Sequence, residues 1–381
     1  MEKIKIKALI KQVRGVSYKP EDLHNKPDEN SVVLLRANNI ADGQINFDDV
    51  VYVDKSKVSP EQYLKKGDIL ICASSGSKNL VGKAASVTFE KECTFGAFCK
   101  VIRSNADSKD LLSVYFQSSI YRKKIAEVAI GANINNIRNE HIDNLDIPVY
   151  SAEERMYIVD KIKLAQNIID KRKEELSCLN ELIKARFVEM FGDAVDNPMG
   201  WEKKQLQEIV TDDCTISYGI VQTGNDQEEG VPVFRPVDIV NRIPKLEELK
   251  RTTEEISNKY KRTILKGHEM LITVRANIAD TCIVGKEFKG CNVGRGIVPI
   301  RTQENIMVLE FLKYLMDSKH LNDDIKSKAK GITLIQLNME DLREVELIIP
   351  PIEQQKAFVK FAEQVNKSKV IKYISTQKLC T

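Results

Sequence analysis

At 381 residues the chain is longer than one average domain and can bury two sizeable cores. Charged residues make up 30% and aromatics 6%, and the formal net charge of +3 is too small to mark a polyanion binder, so any phosphate footprint must come from local clustering. There is no apolar run near the roughly 20 residues of a membrane span and no apolar signal-peptide core at the N-terminus, and Cys72, Cys93, Cys99, Cys178, Cys214, Cys282, Cys291 and Cys380 lack CxxC spacing. Together these features predict a cytoplasmic protein with reduced thiols and no metal site.

Residues 1–150 mix short apolar runs with Asp, Gly, Asn and Ser turn signals. Ser31–Leu35, 50–53 and 68–72 read as strands, and 111–128 has helical apolar spacing before Gly131. From Ser151 the pattern changes. Ile158, Ile162, Ala165, Ile169, Leu176, Leu179, Ile183 and Met190 follow a three/four spacing, interrupted by Arg172 and Arg186. Ser151 with Glu154 makes a capping box that starts this helix, and Gly192 with Pro198 ends it. A helix of about 40 residues is about 60 Å long, so 151–196 reads as a spacer with a coiled-coil seam that needs a partner helix. Residues 197–350 return to the first layout, with strands expected at Val231–Phe234, 270–274 and 296–300 and a helix at 308–325 before Gly331. In 351–381 Phe358, Phe361, Ala362 and Val365 form the stripe of a second, short helix, which Asn366-Lys367-Ser368-Lys369 breaks.

The two layouts repeat at a spacing of 200 residues: Ser17-Tyr18 returns as Ser217-Tyr218, Lys66-Gly67 as Lys266-Gly267, Gly131 as Gly331 and Glu153 as Glu353. Ile137/Leu337, Ile142/Leu342 and Ile147/Leu347 are apolar at the same spacing. The expected fold is α+β, two similar globular domains separated by long antiparallel coiled-coil helices with a pseudo-twofold internal repeat. Because the copies share spacing and differ in most side chains, they read as one scaffold carrying two surfaces for two targets. A duplicated enzyme would keep its reactive residues in both. Antiparallel helices would set the domains at opposite ends, and duplex DNA read by twofold-related modules offers half-sites about 34–36 Å apart, or multiples of that. The helices would then act as a ruler between two half-sites.

In this order of parts the chain resembles, over essentially its whole length, the specificity subunits of type I restriction–modification systems. The resemblance also lies in Asn197-Pro198-Met199-Gly200-Trp201, in LKKGDILICASSG (64–76) and in ILKGHEMLITVRANI (264–278). Most specific is LIIPPIEQQKAF (347–358), echoed by LDIPVYSAEERMYI (145–158). It implies that each globular part is a target recognition domain and that the chain is non-catalytic. It also implies that two methyltransferase (modification) subunits dock on the helices, through positions such as Ile158, Ile162, Ile169, Leu176, Leu179, Ile183, Phe358 and Val365, and that a restriction/translocase subunit joins them. S-adenosylmethionine is then expected in the methyltransferase partner, with no cofactor in this chain. Two departures stand out: the first domain begins at Met1 without the Trp that opens the second, and the second helix is truncated.

Candidate DNA contacts in the first domain are Ser17, Tyr18, Lys19, Arg36, Asn38, Ser75, Ser77, Lys78, Asn79 and Lys83. The loop from Gly76 to Ala84 approximates a P-loop, but it has five residues between its glycines where the P-loop has four, and Ala84 stands where Ser or Thr would hold magnesium. Polar side chains there suit phosphates and base edges instead. In the second domain the candidates are Ser217, Tyr218, Gln222, Thr223, Arg235, Arg275, Asn277 and Arg295. Arg275 suits guanine and Asn277 adenine. Features shared by both copies, Arg36 with Arg235 and the two Ser-Tyr pairs, favour scaffold or backbone roles, and each loop has the competing reading of an ordinary solvated turn. Catalysis is poorly supported: His24, His141, His268 and His320 have no metal-ligand spacing, and neither GxGxxG nor an Asn/Asp-Pro-Pro-aromatic loop occurs. The readings that compete with a specificity subunit are a self-contained DNA methyltransferase or nuclease with an unfamiliar site, and a two-headed protein adaptor without DNA binding.

Overall fold

The computed structural model describes residues 2–24, 26–77, 79–129, 135–239, 243–331 and 335–380. The chain divides into two compact units, 1–168 and 169–381, and the division falls inside one continuous helix, Ala152–Phe191.

In the first unit the strand Ile69–Cys72 is apolar at every position because both its faces are covered. Ile69 and Ile71 join Leu112, Phe116, Tyr121 and Ile125 on the helical side, while Leu70 and Cys72 join Val33, Leu35, Cys93 and Phe95 on the other. That strand lies inside a four-stranded antiparallel sheet, ordered Ala84–Ser86, Ile69–Cys72, Cys99–Ser104, Ile10–Arg14. A second four-stranded sheet sets Ser31–Leu35 between the parallel Cys93–Phe95 and the antiparallel Val51–Asp54. The second unit is built the same way. Glu269–Thr273 sends Met270 and Ile272 to the helical side and Leu271 to the other, between Thr281–Val284 and Ile297–Ile300. Val231–Phe234 lies between the antiparallel Lys250–Thr252 and the parallel Asn292–Val293.

The segments 111–128 and 308–325, each expected as one helix, are pairs of helices: Lys109–Gln117 with Ser119–Val128, and Leu309–Met316 with Lys319–Ser327. Ser118 causes the first break. It is extended, its hydroxyl donates to Tyr115 O at 2.6 Å, and its Oγ accepts from Tyr121 N at 3.2 Å, ending one helix and capping the next. Ser318 donates to Leu315 O in the same way, at 2.6 Å. Apolar spacing runs across each break because both helices of a pair bury residues in one core. Gly331 takes the left-handed φ of +137° that only glycine adopts readily; Gly131 lies outside the described residues.

Ser151 starts the long helix as expected: Ser151 N donates to Glu154 Oε2 (2.8 Å), and Glu154 N to Ser151 Oγ (3.1 Å). At its other end Gly192 has φ +74°, and the Asn197–Trp201 turn closes over it. Asn197 bonds both Trp201 N and Trp201 O through its side chain, and the Trp201 indole donates to Phe191 O at 3.1 Å. The C-terminal helix, Ile352–Cys380, continues through Asn366 and Lys369, which the sequence reads as a break. Asn366 docks instead, donating to the Tyr314 hydroxyl at 2.9 Å. Phe191 lies 5.7 Å from Phe358, between ring centroids, and Arg186 sits 5.9 Å from the Phe361 ring. Moving back along one helix thus moves forward along the other, so the two are antiparallel over this stretch of the second unit.

The 200-residue register is approximate. It holds where Ile137/Leu337, Ile142/Leu342 and Ile147/Leu347 are all buried, but the hydrogen bonds shift it elsewhere. Parallel bridges join Val16 to Gly96 and Ile220 to Gly294, so Val16 matches Ile220 and Tyr18 matches Gln222, not Tyr218. Asp68 bonds Arg103 as Glu269 bonds Arg301, so Gly67 (φ +89°) matches His268 (φ +85°). Phe98 O and Gly296 O accept from the matching Ala73 N and Val274 N, which pairs Phe98 with Gly296 and Ser74 with Arg275. Loops of unequal length between paired strands produce the drift.

Lys100 is a buried cation in the first unit, 7% exposed. Its Nζ donates to Asn139 Oδ1 (2.6 Å), Gln12 Oε1 (2.9 Å) and Ile137 O (3.4 Å). Burial pushes its pKa down to about 8 from the ordinary 10.5, with Asp143 partly opposing the shift. Between these values the unfolded chain holds more protons than the folded one, so stability should rise as pH climbs from about 8, by at most about 3 kcal/mol. Urea midpoints at pH 7.5 to 9.5 check this: the rise should vanish in Lys100→Met, and an equal rise in that variant would refute the assignment.

Candidate nucleic-acid interface

Strand ends of the first unit meet at a concave surface of about 340 Å³ lined by Tyr18, Arg36, Asn38, Ser74, Ser75 and Phe98. Arg36 follows the last residue of Ser31–Leu35. Its N donates to Asn39 Oδ1 at 2.8 Å, bending the chain into a single turn that carries Asn38 beside it. Arg36 Nη2 and Asn38 Nδ2 both reach Asp49 Oδ2, at 3.0 and 2.7 Å, while Arg36 Nε is buried without a partner. The Asp49 side chain is 74% exposed, so its pair with Arg36 contributes little and yields readily to a phosphate or base edge. Gly96 gives Tyr18 room: a Cβ there would sit 3.1 Å from the Tyr18 ring.

Four of the expected residues therefore come together: Tyr18, Arg36, Asn38 and Ser75. Ser17 and Lys19 are exposed but do not line this surface, and Lys19 pairs with Glu21 at 3.6 Å. Beyond Ser75, Ser77 N donates to Ser75 Oγ at 3.1 Å, Asn79 O accepts from Arg122 Nη2 at 2.9 Å, and Lys83 is half-buried. None of these three lines the concavity, and Lys78 lies outside the described residues. Ser74 and Phe98 escaped the sequence reading. Phe98 carries no local signal, since an aromatic at a strand start reads as core.

The second unit presents other chemistry at matching places. Arg235 is held by Asp238 through Nε and Nη2 at 3.0 and 2.8 Å. Arg275 donates to the Gln336 side chain, and its Nε is buried without a partner. Asn277 is exposed in a separate concavity of about 550 Å³ with Ala276, Ile278, Asp280, Lys326 and Ile335. Gln222 and Arg295 are exposed; Thr223 is half-buried, its carbonyl accepting from the Thr252 hydroxyl at 2.7 Å. Tyr218 is half-buried and packs at the edge of the second unit's core, and Ser217 Oγ lies 3.1 Å from Thr215 Oγ1.

The helix positions also separate. Ile158, Ile169, Leu176 and Leu179 are half-buried and Ile162 is exposed. Ile183, Phe358 and Val365 are buried in the second unit's own core, so they offer no surface to another chain. Besides Ile162, the exposed large apolar side chains on the long helix are Met156, Tyr157, Leu164, Leu182 and Val188. Reactive chemistry has little footing. Burial pushes the Cys93 thiol up to about 12 and those of Cys282 and Cys291 to about 11. Asp193, Asp196 and His320 cluster just beyond the end of the long helix, where the Asp193 carboxylate is already engaged. Asp193 Oδ1 accepts from Val195 N and Asp196 N, and Oδ2 lies 2.6 Å from His320 Nδ1.

Residues 198–377 match the family described as the type I restriction modification DNA specificity domain. The StySPI type I restriction enzyme specificity subunit of Salmonella potsdam is 28% identical over 375 residues, covering 93% of this chain and 79% of that one. Over most of its length the chain is thus similar to the specificity subunits of type I restriction–modification systems. The EcoKI specificity subunit of Escherichia coli K12 is 31% identical over 236 residues, 58% of this chain and half the length of the relative. Among solved structures, a chain from work on assembly and conformational transition of the type I R-M system aligns with 99% of this one and 94% of its own length, at TM-score 0.56 and 18% identity. The S subunit of M. genitalium aligns with 100% and 92%, at TM-score 0.50 and 13% identity. At such identities these likenesses show the fold. These likenesses favour a specificity subunit over the self-contained enzyme and the protein adaptor. Among the described residues no helix is long and apolar enough to cross a membrane.

Proposed function

We propose that this chain gives a cytoplasmic type I restriction–modification complex its DNA sequence, by reading a bipartite asymmetric site with its two recognition units. It catalyses nothing itself. Adenine methylation belongs to partner methyltransferase subunits, two by expectation, which carry S-adenosylmethionine, and cleavage belongs to a restriction/translocase subunit. The observation that carries the reading is one backbone scaffold with different chemistry at matching surface positions: Tyr18 against Gln222, Asn38 against Val237, Ser74 against Arg275. A scaffold kept while its surface diverges suits two readers of different half-sites.

The test is to express the chain with its methyltransferase subunit in a methylation-free host and to map modified adenines by long-read sequencing. One split motif is expected, two short half-sites around a fixed number of unread bases. An assembled, cofactor-supplied complex that methylates without sequence preference, or not at all, would overturn the proposal.

A further inference from the structure

Phe98 is 64% exposed, yet its backbone is fixed. Cys99 N donates to Gly96 O at 2.8 Å, closing a turn, and Phe98 O accepts from Ala73 N and Ser74 N at 2.9 and 3.0 Å. A ring on a fixed backbone loses little entropy when a ligand covers it, and until then it leaves apolar area in water. It stands at the concavity formed by Tyr18, Arg36, Asn38, Ser74 and Ser75. Its match in the second unit is Gly296, where a Cβ would lie 2.5 Å from Pro236 Cγ, so that unit has no room for a side chain there. Phe98 is therefore no part of the shared scaffold.

Resting on the DNA-reading function proposed above, we infer that Phe98 is a specificity-determining residue whose ring packs on the 5-methyl group of a thymine in the half-site read by residues 1–168. A phenyl ring makes no conventional hydrogen bond, and the apolar group on the base edges of the major groove is the thymine methyl. Base faces are stacked inside the duplex, and reaching them costs unstacking. The donors beside Phe98, on Arg36 and Asn38, are held only by the exposed Asp49, and the same groove edges supply acceptors that can replace it. One aromatic among donors thus matches a thymine flanked by hydrogen-bonding edges. The second unit, with Gly296 and Arg275, reads its half-site without this contact.

The experiment uses the assembled methyltransferase complex and duplexes carrying its own motif, with each thymine of either strand replaced singly by deoxyuridine, which removes only the methyl. At one position of one half-site the unaltered complex should lose about fourfold in affinity, the worth of one buried methyl. Phe98→Ala should lose that sensitivity and become degenerate at that base pair, Phe98→Leu should keep part of it, and the other half-site should be unchanged in both variants, showing that they fold and assemble. Equal deoxyuridine sensitivity with and without the ring would overturn the inference, as would an unchanged Phe98→Ala motif or a half-site of G·C pairs alone. A uniform loss of affinity over all sequences would make Phe98 a wedge and overturn it as well. An unaltered complex with no motif defeats the proposed function; a split motif indifferent to Phe98 defeats only the thymine contact.

Discussion

Phe358→Ala should destabilise the 169–381 unit by about 4 kcal/mol, the middle of the range for an aromatic truncated in a core. The Phe358 ring is fully buried, with centroids 5.4 Å from Phe187, 5.7 Å from Phe191, 6.1 Å from Phe311 and 5.2 Å from Tyr314. These rings come from the long helix and from Leu309–Met316, so Phe358 joins the C-terminal helix to both. Phe187 and Phe311 are also stacked on each other at 5.8 Å, which limits collapse into the space left by alanine. Trp201, the single tryptophan, has its ring 6.5 Å from Phe191, so its fluorescence in urea reports this unit alone. Phe358→Leu, which keeps most of the volume, should cost about 1.5 kcal/mol. A loss below about 1 kcal/mol for the alanine variant would show that the cluster does not pin the helix.

Gly219→Ala should cost about 3 kcal/mol and shift the neighbouring, exposed Gln222, although it adds only one methyl group. The new Cβ would overlap the carbonyl oxygen of Val293 and lie 2.7 Å from that of Gly294. Both are backbone atoms beside the parallel bridge from Ile220 to Gly294, so no side-chain rotation relieves the clash. Gly15 holds the same place in the first unit, where a Cβ would overlap Gly96 O and lie 2.8 Å from Phe95 O. Gly76 is the control, with nothing within 4 Å of its Cβ position; Gly76→Ala should stay within about 0.5 kcal/mol of the parent. Thermal unfolding of the Gly15 and Gly76 variants and Trp201 fluorescence of the Gly219 variant test the set. Equal stability of all three with the parent would refute the close approach.

The sequence by itself determined what depends on neighbours a few residues away. Ser151 and Glu154 cap the long helix with bonds inside its first turn, and its three/four apolar spacing follows from the helical period. The apolar run within 68–72 signals a strand, and the repeat signals two units. Tertiary structure alone decided what depends on contacts across long separations. Ser17-Tyr18 and Ser217-Tyr218 look alike, yet backbone bonds to Gly96 and Gly294 make Tyr18 the partner of Gln222, because loop lengths between paired strands differ in the two units. Ile183, Phe358 and Val365 have the spacing of a docking seam, but the chain's own core covers them. Phe98 has the identity of a core residue and is left in water. A side chain's type and period set which face of an element it occupies, whereas exposure depends on what distant segment packs over that face, and no local pattern encodes it.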